Sequence, residues 1–389
     1  MPIRLLSVAE QVVLDRHHLH AHPELGFQEW ETSKFVAERL RGLGLEVETG
    51  IAETGVVGTL HGAKPGKTIL FRADMDALPI EEANDVPYRS TNSGVMHACG
   101  HDAHTAMLLG AAQVLVEQRD QFAGTVKFLF QPSEELPPGG ALPMIAQGVL
   151  EAPKVDAVFG IHLAHDMPAG TISARSGAIQ AASDRFRIEI RGKGGHAARP
   201  HETIDAALIA AQVVVALHAI VAREVNPFEP AVITVGMIQA GTAANVIPGL
   251  AVIDGTVRTF DEELRTRLAT RVEEVAVGVA RAMRAECTCS YVLGYPPTVN
   301  DSAMAEFVAG IAREVVGAEQ LMLRDPIMGA EDFSYFLRER PGCFFNIGTR
   351  NESRGLIGPN HQSNFDIDEA CLPVGVDMFV RIAEQYLVG

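Results

Sequence analysis

Basic residues are scarce in this chain: 32 Lys and Arg stand against 49 Asp and Glu, for a formal net charge of -17 over 389 residues. Nucleic acid is bound by basic faces that displace its counterions, so this balance argues against a nucleic-acid partner. Cysteine is sparse too. Five residues, an odd number without a framework spacing, speak against a disulfide scaffold. Cys287 and Cys289 stand two apart in a strand-like stretch, on one face, and read with Cys343 and Cys371 as small buried hydrophobes. No apolar run approaches the length that spans a bilayer, so no membrane partner is expected. The N-terminal MPIRLLSVAEQVVLDRH interrupts its apolar pattern with charged and polar residues. It lacks the apolar core and cleavage site of a signal peptide, and reads as the first helix of a cytoplasmic fold. Repeats and low-complexity tracts are missing as well.

What is present describes a globular protein, with 47% hydrophobic and 21% charged residues. The length favours two domains. The first part alternates helical and strand-like segments: helices near residues 31–43, 104–118 and 141–150, and strands near 56–61 and 68–73, at GTVKFLFQP and at AVFGIH. That alternation predicts a mixed, largely parallel sheet covered by helices. ILFRADMD, FLFQPSEE and AVFGIH are apolar strands that end in ligand-type residues, where α/β sheets collect their functional groups. From about residue 183 the pattern becomes β-α-β-β-α-β, with helices near 205–221 and 262–284, the order of a ferredoxin-like α+β unit. Residues 180–294 are therefore expected to form a domain inserted into a discontinuous first domain, residues 1–179 and 295–389. The first domain resumes with helices near 302–316 and 331–337, a strand near 344–347 and a helix after Asp368.

The segment MHACGHDAHT puts the thiol of Cys99 two residues from His101, just before a helical run. Cysteine and histidine are ligands of borderline-soft divalent metals. Glu134 and Glu135 adjoin after a strand, where two buried carboxylates need a cation. One can bind metal while the other stays free as a general base. Asp74 and Asp76, in ADMDALP, can ligate directly or orient a ligand. His162 ends an apolar strand and alone reads as a satisfied core residue; His361 lies in a Gly/Pro/Asn loop and alone reads as simply exposed. Together Cys99, His101, Glu135, His162 and His361, with a spare Glu134, suit two metals rather than one. His97 and His104 read as packing or supporting residues. His17, His18, His20 and His22 precede a Pro turn and are assigned to structure.

HACGHDAH, FQPSEE, GIH, GGHAARPHET, TAANVIPG and MGAEDFSYF, in this order along essentially the whole chain, resemble the metal-dependent aminoacylases. That amidohydrolase group contains hippurate hydrolase, indole-acetyl-amino-acid hydrolase and N-acetyldiaminopimelate deacetylase, with related carboxypeptidases. The resemblance implies a binuclear site on Cys99, His101, Glu135, His162 and His361; cysteine with histidine suits zinc, manganese, nickel or cobalt. It implies Glu134 as general base and Asp76 as the acid that orients a ligand or the base. Asp74 occupies the place of a histidine ligand in more distant relatives. The inserted domain would be a lid and dimerisation domain. His196 resembles a histidine that reaches the active site, in some members from a partner subunit; Asn245 and Arg258 resemble residues that hold the substrate's carboxylate or carbonyl. The implied activity is hydrolysis of N-acyl amino acids by a homodimer or dimer-based oligomer. A dipeptidase or carboxypeptidase is the alternative, and a binding protein without turnover the rival from another class. One departure is local: Leu136 in EELPPGG stands where the group usually has glycine.

Overall fold

Residues 7–387 are described by the structure, a computed structural model. The first helix is Val8–Ala21, capped by Ser7 in a reciprocal box with Glu10. Residues 1–6, read as its start, lie outside the described residues. Two compact units divide the chain. One takes the described residues up to Gly177, then Val299–Asp325 and those from Asp332 on; the other takes Ala178–Thr298 and Pro326–Glu331.

The first unit is built on seven strands. Ala123–Gln131, Lys64–Asp74, Ala157–Pro168 and Gly342–Arg350 run parallel at its centre, in that spatial order. Glu46–Ile51 and Gly55–His61 extend one side antiparallel, and Ile172–Ser173 the other. The central strands read as unbroken apolar runs because both their faces are covered. Glu46–Ile51 escapes a sequence reading for the opposite reason: it is largely exposed and polar, with no apolar alternation. The His101–Glu117 helix is buried along most of its length. A Cβ on Gly110 would stand 2.4 Å from Val12 and 3.0 Å from Val376. Glycine there lets the helices Val8–Ala21 and Cys371–Tyr386 close on it. Phe379 of that last helix meets Phe71 of the central strand at 4.9 Å between ring centres.

In the second unit four antiparallel strands lie in the order Ala231–Ala240, Leu250–Thr259, Asp184–Arg191, Glu286–Val292. Taken from the far edge, the chain order is fourth, first, third, second, which is the split βαβ arrangement. Asp184–Arg191 buries alternate residues, Phe186, Ile188 and Ile190, against the helices Ala206–Glu224 and Glu262–Ala282. Asp205 and Asp261 cap those helices. The expectation that no apolar run nears membrane length needs correcting. Ala206–Glu224 spans 19 residues at a mean hydropathy of 1.9, long and apolar enough to cross a membrane. Here one face, Ile209, Val213, Leu217 and Ile220, packs into the unit's own core, while Leu208 and Val215 on the other stay exposed.

Candidate metal centre

Parallel strands deliver their C-terminal ends to one edge of the first unit's sheet, and the ligand-type residues gather there. Lys64–Asp74 leads to Asp76, Ala123–Gln131 to Glu134 and Glu135, and Ala157–Pro168 carries His162. Gly100, at φ +91°, turns the chain left-handed into the His101–Glu117 helix, so Cys99 and His101 sit at its start. His361 is itself left-handed at φ +65°, pinned by its N–H to Ala98 O at 2.7 Å. Donor atoms of Cys99, His101 and His162 lie within 4.8 Å of one another; so do those of Cys99, Glu135 and His361, and those of His101, Glu134 and Glu135.

Each histidine presents one nitrogen. His101 Nδ1 faces Asp76, 2.9 Å from its carbonyl and 3.2 Å from Oδ1, which fixes the proton there. His101 Nε2 is buried without a hydrogen-bond partner. An orphaned ring nitrogen among thiol, carboxylate and imidazole groups is what a metal ion satisfies, so these residues fit a divalent cation. His162 donates Nδ1–H to Leu163 O at 2.7 Å, leaving Nε2 3.5 Å from Cys99 Sγ. Burial, then the His104 ring, holds His162 well below the usual imidazole range, the neutral state that ligation needs. Burial opposes a charge on His101, yet Asp74, Asp76 and Cys99 outweigh it and shift the ring well above the usual imidazole range. Hydrogen bonds to Cys99 and Glu135 raise His361 to about 10.

Asp74, His101 and His104 also lie close together, but two of these groups are spent. Asp74 pairs with Arg72 at 2.6 Å and with His104 Nδ1 at 2.6 Å. His104 Nε2 accepts the N–H of Leu163 at 3.0 Å. His104 and Asp74 therefore support the site from behind.

The turn holding Glu134 and Glu135 is tied at both ends. Ser133, at φ +52°, donates its N–H to Glu29 at 2.8 Å, and Glu135 N–H donates to Asp76 Oδ2 at 3.0 Å. Glu135 Oε1 reaches within 3.0 Å of His361 Nε2. Glu134 is buried beside them. Leu136, the local departure, is exposed on the turn's outer side.

His196, Asn245 and Arg258 belong to the second unit. His196 pairs with Val246 in a short ladder, and Ala197 N–H donates to Asn245 O at 3.1 Å, so the first two are neighbours. Arg258 lies on the Leu250–Thr259 strand opposite Val232, half-buried.

Sequence reasoning passed over the groups behind the site. Arg72, fully buried, pairs with Asp74 and with Asp332 at 2.9 Å and donates to Gln131 at 3.0 Å. A lone arginine inside the apolar run ILFRAD was the available signal. Arg16, also buried, meets Asp102 at 3.2 Å, Asp366 at 2.5 Å and Glu369 at 2.8 Å. His20 sits between Asp102 and Glu82, which gives that histidine a structural place.

Residues 70–385 match the model described as Peptidase family M20/M25/M40. The chain is 44% identical to thermostable carboxypeptidase 2 of Saccharolobus solfataricus, over 98% of this chain and 96% of that one. It is 49% identical to an N-acyl-L-amino acid amidohydrolase of Geobacillus stearothermophilus, over 76% and 79%. A solved dinuclear metal-binding peptidase of the M20 family from Bacillus subtilis superposes with a TM-score of 0.86 at 35% identity, covering 98% of each chain.

Proposed function

The chain belongs to peptidase family M20/M25/M40, and from that premise we propose that it is a metal-dependent amidohydrolase that cleaves the acyl group from N-acyl amino acids. The observation that carries the reading is the overlap of the donor triads. The triads Cys99–His101–His162, Cys99–Glu135–His361 and His101–Glu134–Glu135 share members, so five ligand-type groups and a further carboxylate, Glu134, stand close enough together for two ions rather than one. We assign Cys99, His101, Glu135, His162 and His361 as the ligands. Two divalent ions held there supply Lewis acidity toward the amide carbonyl and lower the pKa of the attacking water. Zinc, manganese, nickel and cobalt all suit this mixture of sulfur, nitrogen and oxygen donors.

Glu134 takes the water's proton as the water oxygen bonds to the carbonyl carbon. It returns that proton to the nitrogen as the C–N bond breaks, so one carboxylate acts as base and then as acid. Asp76 positions His101 through Nδ1 and the Glu135 turn through its N–H. To His196 we assign the oxyanion, and to Asn245 and Arg258 the substrate's carbonyl and carboxylate. Burial disfavours the charge on Arg258, and a substrate carboxylate would compensate it.

The second unit is read as lid and dimerisation domain. Its Ala231–Ala240 strand ends the sheet and exposes Met237 and Ile238, a template for pairing with a second copy. We place the enzyme in the cytoplasm, where its five free thiols stay reduced.

The test is hydrolysis of a panel of N-acyl amino acids by metal-stripped protein, before and after each metal is restored. Metal-dependent release of free amino acid is expected. Stoichiometric metal binding without release from any member of the panel would sink the proposal. The carboxypeptidase among the relatives favours a second reading, peptide cleavage at the same site. Faster turnover of a free-amine dipeptide than of its N-acyl counterpart would select it.

A further inference from the structure

Cys99 has a polar neighbour outside the ligand set. Asn360 Nδ2 stands 3.2 Å from Cys99 Sγ, and Asn360 Oδ1 stands 2.6 Å from His165 Nδ1. Cys99 is buried, and Asn360 and His165 are half-buried. His165 lies three residues beyond His162 on the Ala157–Pro168 strand. Asn360 directly precedes His361, whose N–H is fixed to Ala98 O. The chain thus brings an amide to the thiol from the loop that also carries His361, and an imidazole to that amide from the strand that also carries His162.

We infer that Asn360, oriented by His165, is a positioning residue that donates an N–H···S hydrogen bond to the Cys99 thiolate; this rests on the reading of Cys99 as a metal ligand. A thiolate accepts and cannot donate, so an amide beside it must present its NH2. The carboxamide oxygen then faces His165, which has to carry its proton on Nδ1 to donate. Each partner fixes the next: the histidine selects the amide's orientation, and the amide selects the donor aimed at sulfur. A hydrogen bond to a ligating sulfur withdraws electron density from it, as partners behind other ligands tune their metals. The ion would then be less neutralised by its thiolate and would polarise a carbonyl more strongly. It would also hold the sulfur lone pairs in one direction, leaving Cys99 a fixed ligand.

The enzyme reconstituted with cobalt(II) reads this directly, because the thiolate-to-cobalt charge-transfer band follows the electron density on sulfur. The band should be present in the unsubstituted protein and lost in Cys99→Ser. In Asn360→Ala it should move to lower energy. His165→Ala should move it the same way, and the double variant should move no further than Asn360→Ala alone, as for residues acting in series. A band that disappears in Cys99→Ser but keeps its energy in Asn360→Ala and in His165→Ala overturns the inference and leaves the ligand assignment standing. Shifts that add in the double variant overturn the serial arrangement. A cobalt protein with no thiolate band, or a band that survives Cys99→Ser, overturns the ligand assignment and the inference together. Should Asn360→Ala fail to fold, His165→Ala decides alone, since it leaves the amide in place and only frees it to turn.

Discussion

Glu29 lies beneath the turn that carries Glu134 and Glu135. It accepts the N–H of Ser133 at 2.8 Å and the hydroxyl of Thr54 at 2.6 Å. Burial pushes its carboxyl up to about 7, with the nearby Asp76 adding to the shift, from an ordinary value of 4.5. A carboxyl that holds its proton more tightly when folded stabilises most below its unfolded pKa. That contribution is lost as pH rises through the folded value, by about 3 kcal/mol at the outside. Glu29→Gln keeps an acceptor for Ser133 and cannot ionise. The metal-free variant should therefore gain on the unsubstituted protein between pH 5 and pH 8, in denaturant midpoints at the two values; an unchanged difference would refute the account. At Glu134, replacement by Gln should cut turnover about a hundred- to ten-thousandfold, with metal content by elemental analysis unchanged. His361 is raised to about 10 in the metal-free site and His101 is shifted in the same direction, so metal bound at the proposed ligands should displace protons. Calorimetric titration in buffers of different ionisation enthalpy at pH 8 should show proton release, and less of it in His361→Ala.

Among the elements, the Val8–Ala21 helix does more than cover the sheet. Its Arg16 joins Asp102, in the first turn of the helix that begins at His101, to Asp366 and Glu369, just past the loop of His361. Without the guanidinium, Asp102 keeps His20, Asp366 the Tyr88 hydroxyl and Glu369 His17, which leaves the buried carboxylates under-compensated, a loss of up to about 3–5 kcal/mol. Arg16→Ala should lower the thermal midpoint and also weaken metal binding, by chelator competition on the folded protein at low temperature. A lower midpoint with unaltered affinity would show that the helix stabilises without aligning ligands. The sequence marked most of these elements, because buried parallel strands and core helices announce themselves as apolar runs. It placed a helix at residues 331–337, whereas the structure starts it at Phe333 and ends it at Glu339. Asp332 explains the shift at the start: its carboxylate is engaged by Arg72, Gln131 and the Ala141 N–H. That partnership is tertiary and leaves no trace in local periodicity.

For the whole molecule, the exposed edge of the second unit makes a prediction of its own. Ile238→Lys on the Ala231–Ala240 strand puts a charge on a face proposed to pair with another copy. Sedimentation should show the unsubstituted protein as a dimer and the variant as a monomer; a variant that sediments unchanged would place the interface elsewhere. The sequence by itself determined the donor inventory, the βαββαβ order of the second unit and the apolar strands that end in ligand residues. Residue type and hydrophobic period are properties of the chain, and chemistry such as thiol beside imidazole is written in it. Only the tertiary structure decided which nitrogen each histidine presents, that Asp74 is consumed by Arg72 and His104, and that Asn360, itself met by His165, reaches Cys99. Those facts depend on segments up to 261 residues apart meeting at hydrogen-bond distance, and a hydrogen bond has direction and length that no one-dimensional pattern carries.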